Sequence, residues 1–273
     1  MLSDQAERGE LTQALEAAGS TWERGWVLAA MGRFGEALVL FDEAADGPDA
    51  ARAQGTAASV YRQLALHEHA EAMDDAGLAM AAEPVVRAGL LVGKVADALG
   101  LGLRTQWRAR LDAARSAVEA DGDWRQRVRL AWVAGETDMY EGDPQAAALH
   151  FAEAVARSIE RGARRHEAKS HLFLGAAHAA VRNLGAAAGH AEAALSLARQ
   201  CGARPIEWAA ALVLAEAGRD PEAHVAQARA ALRGIVDGLP DELRAAALAR
   251  EPARSLLGQT GSAEPGMRRP SAS

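Results

Sequence analysis

The strongest constraint on how this chain can fold is a helical unit that recurs along it. Its clearest copy is Trp26 to Ala44. Trp26, Ala29 and Ala30 form one apolar face, Gly32 interrupts it, and Phe34, Ala37, Leu38, Phe41 and Ala44 form a second, both at helical spacing. Equivalent turn positions fall at Gly32, Ala65, Gly100, Gly142, Arg182 and Gly218, at intervals of 33, 35, 42, 40 and 36 residues. These intervals are those of helical-hairpin repeats, units too small to bury an apolar face alone and therefore stacked on their neighbours.

Composition agrees. Of 273 residues, 49% are hydrophobic and only 4% aromatic, with alanine in every segment; alanine favours helix and lets helices approach closely. The net charge of −7 argues against a dedicated nucleic-acid surface, where a basic domain is expected. Cys201 is the only cysteine, so no intramolecular disulfide or cysteine-based metal cage forms. The start, MLSDQAERGEL, carries acids rather than an apolar core, unlike a signal peptide, and no apolar run reaches the roughly 18 residues of a membrane span. These features lead us to expect a cytoplasmic protein with no membrane contact. Near-exclusive use of arginine over lysine, with Lys94 and Lys169 the exceptions, suggests a GC-rich bacterial source.

The glycine at the turn, the aromatic two positions later, the alanine five later and the phenylalanine nine later resemble the tetratricopeptide repeat, in the manner of actinobacterial proteins of that family. The resemblance covers Thr21 to Leu232. It implies an all-α superhelical array of about six antiparallel helix hairpins, residues 21–48, 51–82, 84–118, 124–160, 165–201 and 205–233. One helix precedes them, capped by Ser3 or Asp4 and running to Ala18. A cap at 239–257 closes a single domain of residues 1–257, and 258–273 is expected to be a disordered tail. In the second unit Asp74 stands in place of the usual phenylalanine, and in the third Trp107 replaces a small residue and the second helix starts about two residues late. Both departures are expected to weaken those units, and Ala247, where the cap would carry a large aromatic, to leave it loosely docked. Asp143-Pro144 and Asp220-Pro221 fix two helix starts, as N-cap followed by proline at N1.

The same resemblance places the first helix of each hairpin on a concave face. The side chains expected there as a partner-binding set are Trp22, Trp26, Arg62, Arg87, Lys94, Arg127, Arg129, Trp132, Glu136, Tyr140 and Lys169, with Arg52, Asp97 and Trp208 among their neighbours. Guanidinium groups grip carboxylates and flat rings stack on chain atoms, so the expected partner is a protein or peptide with an acidic or carboxylate-bearing segment. Trp124 to Arg129 and Arg164 to His171 begin adjacent first helices and form a positive patch, unless they are simply two solvated helix starts.

Other motifs point away from chemistry. His67-Glu68-His69 sets two histidines about 200° apart on a helix, and HExxH is absent. His171 and His178 share a face but lie two turns apart. Gly100-Leu101-Gly102 lacks the rest of a dinucleotide fingerprint. Cys201 has no evident base beside it, and Arg268-Arg269-Pro270-Ser271 resembles a basic kinase site. The expectation is therefore a non-catalytic interaction module that takes a partner peptide or helix in the concave groove, without metal or cofactor and with room for a homo-oligomer. The alternative is a regulator of the transcription machinery acting through a partner protein, since no DNA-binding unit fits before Ser20. Small residues at the helix crossings (Ala37, Ala70, Ala147, Ala187 and Ala223) are expected to hold the scaffold. Ala147→Arg is predicted to lower the melting temperature sharply, since overpacking such a site costs about 1–3 kcal/mol or more; an unchanged melt would refute the alignment of the fourth unit.

Overall fold

The computed structural model describes residues 4–121 and 123–258, so Ser3 and the expected tail beyond Gly258 lie outside the described residues. Everything regular among the described residues is helical. Two short helices come first, α1 (Asp4–Arg8) and α2 (Leu11–Ala17). Six hairpins follow: α3 (Thr21–Met31) with α4 (Phe34–Glu43), α5 (Ala50–Gln63) with α6 (His67–Met80), and α7 (Pro84–Gly100) with α8 (Trp107–Asp121). The remaining three are α9 (Trp124–Glu141) with α10 (Pro144–Glu160), α11 (Arg164–Ala180) with α12 (Leu184–Cys201), and α13 (Arg204–Glu216) with α14 (Pro221–Val236). The chain ends in α15 (Asp241–Leu248) and α16 (Ala253–Leu257). Each helix packs on the next, an arrangement compatible with a helical-repeat solenoid. None of the described helices is long and apolar enough to cross a membrane.

The turns explain the interval of the repeat. Gly32, Gly142 and Gly218 adopt left-handed backbone with φ of 83°, 86° and 77°, and Ala65 and Arg182 are forced into the same region at 57° and 59°. In the third hairpin the left-handed residue is Gly102, not Gly100, which is still helical; this shifts α8 along the chain. Trp107 then fills the space that the late start opens, buried with its indole Nε1 donating to Glu141 3.2 Å away. The expected single N-terminal helix is broken at Gly9, where φ is 80° and a β-carbon would sit 2.6 Å from the Cys201 sulfur. That glycine seats the N-terminal segment directly on the fifth hairpin.

Inside the hairpins, Ala37, Ala70, Ala147 and Ala187 are fully buried. Ala223 is not: it is exposed in the first turn of α14, whose buried face begins at Ala228. Glycine in a first helix faces phenylalanine in the second. A β-carbon on Gly25 would lie 2.6 Å from the Phe41 ring, and Gly135 stands in the same relation to Phe151.

The array also closes on itself. The first helices touch in succession, α3 to α5, α7, α9, α11 and α13, and α13 returns to contact α3. Two cores bind the ends together. In one, Phe34, Phe41, Ala37 and Val60 of the opening hairpins pack with Ile235, Leu239 and Ala247. In the other, Val27 and Ala30 of α3 join Leu11, Ala168, Ala198 and Ile206. The C-terminal segment packs on α14 at the end of the array and also reaches the first hairpin, where Ala247 is buried in the core of Phe34 and Phe41. Trp208, expected to face inward from α13, packs instead against that core and against Leu232, Val236, Ala253 and Leu257.

The seam is tightest at Gly35, where any β-carbon would run into the Gly238 carbonyl oxygen. Gly35→Ala is predicted to destabilise the protein by about 1–3 kcal/mol, read as a drop in the urea midpoint. An unchanged midpoint would show that the seam is not closed in solution.

Candidate functional site

Closing the ring leaves a central cavity, partly open to solvent, of about 570 Å³. Five first helices wall it, α3, α5, α7, α9 and α11, with His67 of α6. The inward positions follow helical period. On α9 they are Arg125, Arg129, Trp132, Glu136 and Tyr140, and on α7 they are Val86, Gly89, Gly93, Ala96 and Gly100. α7 gives the wall only apolar side chains and glycine, so that side is both hollow and greasy; α9 and α11 carry the charge.

Eight of the eleven side chains expected on the inner face do line this cavity: Trp22, Trp26, Arg62, Arg129, Trp132, Glu136, Tyr140 and Lys169. Three do not. Arg87 is exposed, one position and about 100° past the inward Val86. Lys94 is rotated likewise from Gly93 and is spent on α6, where it pairs with Asp75 and, at 3.4 Å, with Glu71. Arg127 lies one position past the inward Gln126 and is not part of the wall.

The tryptophans are fixed by packing as well as aimed at the space. Trp22 Nε1 donates to Thr56 Oγ1 at 3.0 Å, and Trp132 Nε1 to Ser170 Oγ at 2.9 Å. Each indole thus ties one first helix to the next and leaves only its flat surface for other contacts. Cations sit over these rings. Arg52 lies 5.6 Å from the Trp22 ring, Arg165 lies 5.3 Å from Trp26, and Lys169 lies 4.6 Å from Trp132 and 5.3 Å from Phe173.

Arg62 has a structural role. Its Nη1 donates to Asp74 Oδ2 at 2.7 Å and Asp97 Oδ2 at 2.8 Å, and both carboxylates are fully buried. Asp74 occupies the repeat position of Phe41 and Phe151, so in the second hairpin a buried ion network stands where those hairpins have a ring; Gly93 leaves the room for it. Burial, with repulsion from Asp97, outweighs the pull of Arg62 and pushes the Asp74 carboxyl up to about 7.

Arg129, Arg165 and Lys169 are different. Among the described residues none of the three is in ion-pair contact with a carboxylate. Arg129 Nη1 donates to Gln126 Oε1 at 2.9 Å, and the buried Arg165 Nε has no partner. Loss of water pushes both guanidinium groups down to about 10, Arg129 also through repulsion from Arg62. Lys169 is pushed down to about 8, again by burial first, against the attraction of Glu136 and with added repulsion from Arg165 and Arg129. Burial in turn raises Glu136. His166, stacked on Trp132 at 5.7 Å, is held well below the ordinary histidine range by burial and by Arg165, and so is neutral.

Arg165 and His166 were legible only as members of a basic cluster; Phe173 was not anticipated. Its signal was the four-residue step from Lys169, one helical turn along the same face. The histidine pairs also resolve. His67 lies 3.4 Å from Asp97, while His69 stacks on Tyr61 at 5.5 Å. His190 of α12 stands between His171 and His178, with ring centroids 5.2 and 5.4 Å away.

A scan against protein-family models finds none that matches this chain. A search of curated proteins likewise finds no match. The cavity must therefore be read from its own chemistry. Its Lys169 ammonium is attracted by Glu136 but in ion-pair contact with no carboxylate among the described residues, and desolvating charges so weakly compensated is unfavourable. Replacing both groups together, Lys169→Met with Glu136→Gln, is predicted to raise stability by roughly 1 kcal/mol, measured as the thermal midpoint at pH 7. A lowered midpoint would mean that the two form a structural pair.

Proposed function

We propose that this chain is a non-catalytic binding module of tetratricopeptide type, whose recognition surface is the inner wall of the helical ring and whose ligand carries negative charge. The observation that carries this reading is the group Arg129, Arg165 and Lys169, held in one cavity with Arg129 on the Gln126 amide oxygen and the other two on ring faces, rather than on carboxylates. Cations placed at a cost to stability and left with open donors are what an anion site requires. The polar groups are donors set to hold a ligand, rather than a nucleophile beside a base.

Of the two partners expected from sequence, a helix and a short peptide segment, the cavity favours the smaller. A helix about 10 Å across takes roughly 120 Å³ per residue, so 570 Å³ holds little more than one turn. The second reading, a sensor that regulates the transcription machinery through another protein, draws support from the closed ring. α3 lines the cavity and is also half of the seam, so an occupant that reaches its tryptophans can bias the outer surface that a partner would read.

A photocrosslinking residue placed at Tyr140, on the wall, and separately at Arg87, outside it, tests the proposal. The Tyr140 probe is expected to yield a discrete adduct from cells that the Arg129→Gln, Lys169→Gln double variant loses. Adducts from Arg87 alone would move the recognition surface off the inner wall and end this reading.

A further inference from the structure

The wall discriminates between kinds of anionic ligand. It follows the whole ring, with α13 back in contact with α3 and Arg165 reaching across to Trp26. An inner face so strongly curved offers an extended peptide no long straight groove. A peptide also brings backbone N–H groups that need acceptors once buried. The wall's carboxylates are already engaged: Glu136 faces Lys169, and Asp123 accepts from the first backbone N–H groups of α9. Beside Arg129, Val86, Leu90 and Ala96 of α7 offer an apolar surface. The volume lies within the roughly 300–1,000 Å³ typical of small-molecule sites. A cationic side and a greasy side in a pocket of this size describe the complement of an amphipathic acid.

We infer that the cavity is the seat of a free small organic acid, its carboxylate or phosphate on Arg129, Arg165 and Lys169 and its apolar body along Val86, Leu90 and Ala96. The inference rests on the inner wall being the recognition surface and names what that surface takes. Such a ligand supplies acceptors without donors, and it discharges three cations that repel one another. Gly89 lets one of these cations come close to the apolar side: a side chain there would meet Arg129 Nη1 at 2.9 Å and Gln126 at 3.0 Å.

The test uses the full chain and tryptophan fluorescence, with 2-naphthoate and 2-naphthyl phosphate as probes and neutral 2-naphthamide as control. A tetrapeptide with a free carboxylate is the competing occupant. At least one acid is expected to bind 10-fold or more tighter than the amide, and tighter than the peptide; which acid does so identifies the head group. Arg165→Met and Lys169→Met should each weaken that acid by about 10- to 100-fold, the range for a charge-assisted hydrogen bond. Ala96→Phe should block it by filling the apolar side, with circular dichroism confirming that each variant folds. Equal binding of acid and amide, no acid binding at millimolar concentration, or tighter binding of the peptide would each overturn the inference. If the acids fail while the Tyr140 adduct persists and depends on Lys169, the inner wall remains the recognition surface and only the small-acid assignment falls. If the acids bind as expected and no protein adduct forms, the small-acid assignment stands and capture of a protein segment is refuted.

Discussion

The contact between the two ends of the chain is the interaction on which the remainder of this structure depends. Without it, six hairpins would form an open stack whose inner face is a groove. With it, α3 is shared by two cores, one completed by Ile235, Leu239 and Ala247 and the other by Ala168, Ala198 and Ile206, and the groove becomes a cavity. Gly35 and Gly32 make the approach feasible, the first against the Gly238 carbonyl and the second against Ile235 and Pro205. Small residues at a crossing are usually a matter of local packing. Here two of them decide the topology of the internal space, and hence what size of ligand that space can take.

Charge and packing are set against each other on the wall. The Arg62 network shows how the fold treats a buried cation that it uses for itself: two carboxylates, at 2.7 and 2.8 Å, in a site hollowed by Gly93. Lys169 and Arg165, a short distance along, receive aromatic faces instead. Attraction to a ring is worth about 0.5–2 kcal/mol, less than is needed to offset the loss of water around a charge. The contrast within one cavity separates cations that serve the scaffold from those left over.

Much of the fold was readable because helical period and turn chemistry are local. The left-handed turns at Gly32, Gly142 and Gly218, the Asp143-Pro144 start and the buried Ala37, Ala70, Ala147 and Ala187 follow from residues a few positions apart. Eight of eleven inner-face residues could be placed for the same reason. Arg87, Lys94 and Arg127 were misplaced because each sits one residue beyond an inward position, and 100° of rotation cannot be fixed without knowing where the helix packs. Asp74 read as a defect because its partners, Arg62 and Asp97, lie in two other helices. Ring closure was not readable at all. Nothing local distinguishes an Ile235 that ends an array from one that fills the core of the first hairpin.

That last feature bears on how the protein is made. In an open repeat array stability is close to a sum over neighbours, and folding can begin anywhere and spread. Here the core around Phe34 and Phe41 lacks its far side until the ribosome has delivered Ile235, Leu239 and Ala247. The first hairpin to emerge is thus the last to be completed, and it waits with an apolar face uncovered through the synthesis of five more. Contacts so distant in sequence also slow the final step, making the opening hairpin the segment of the nascent chain most in need of protection.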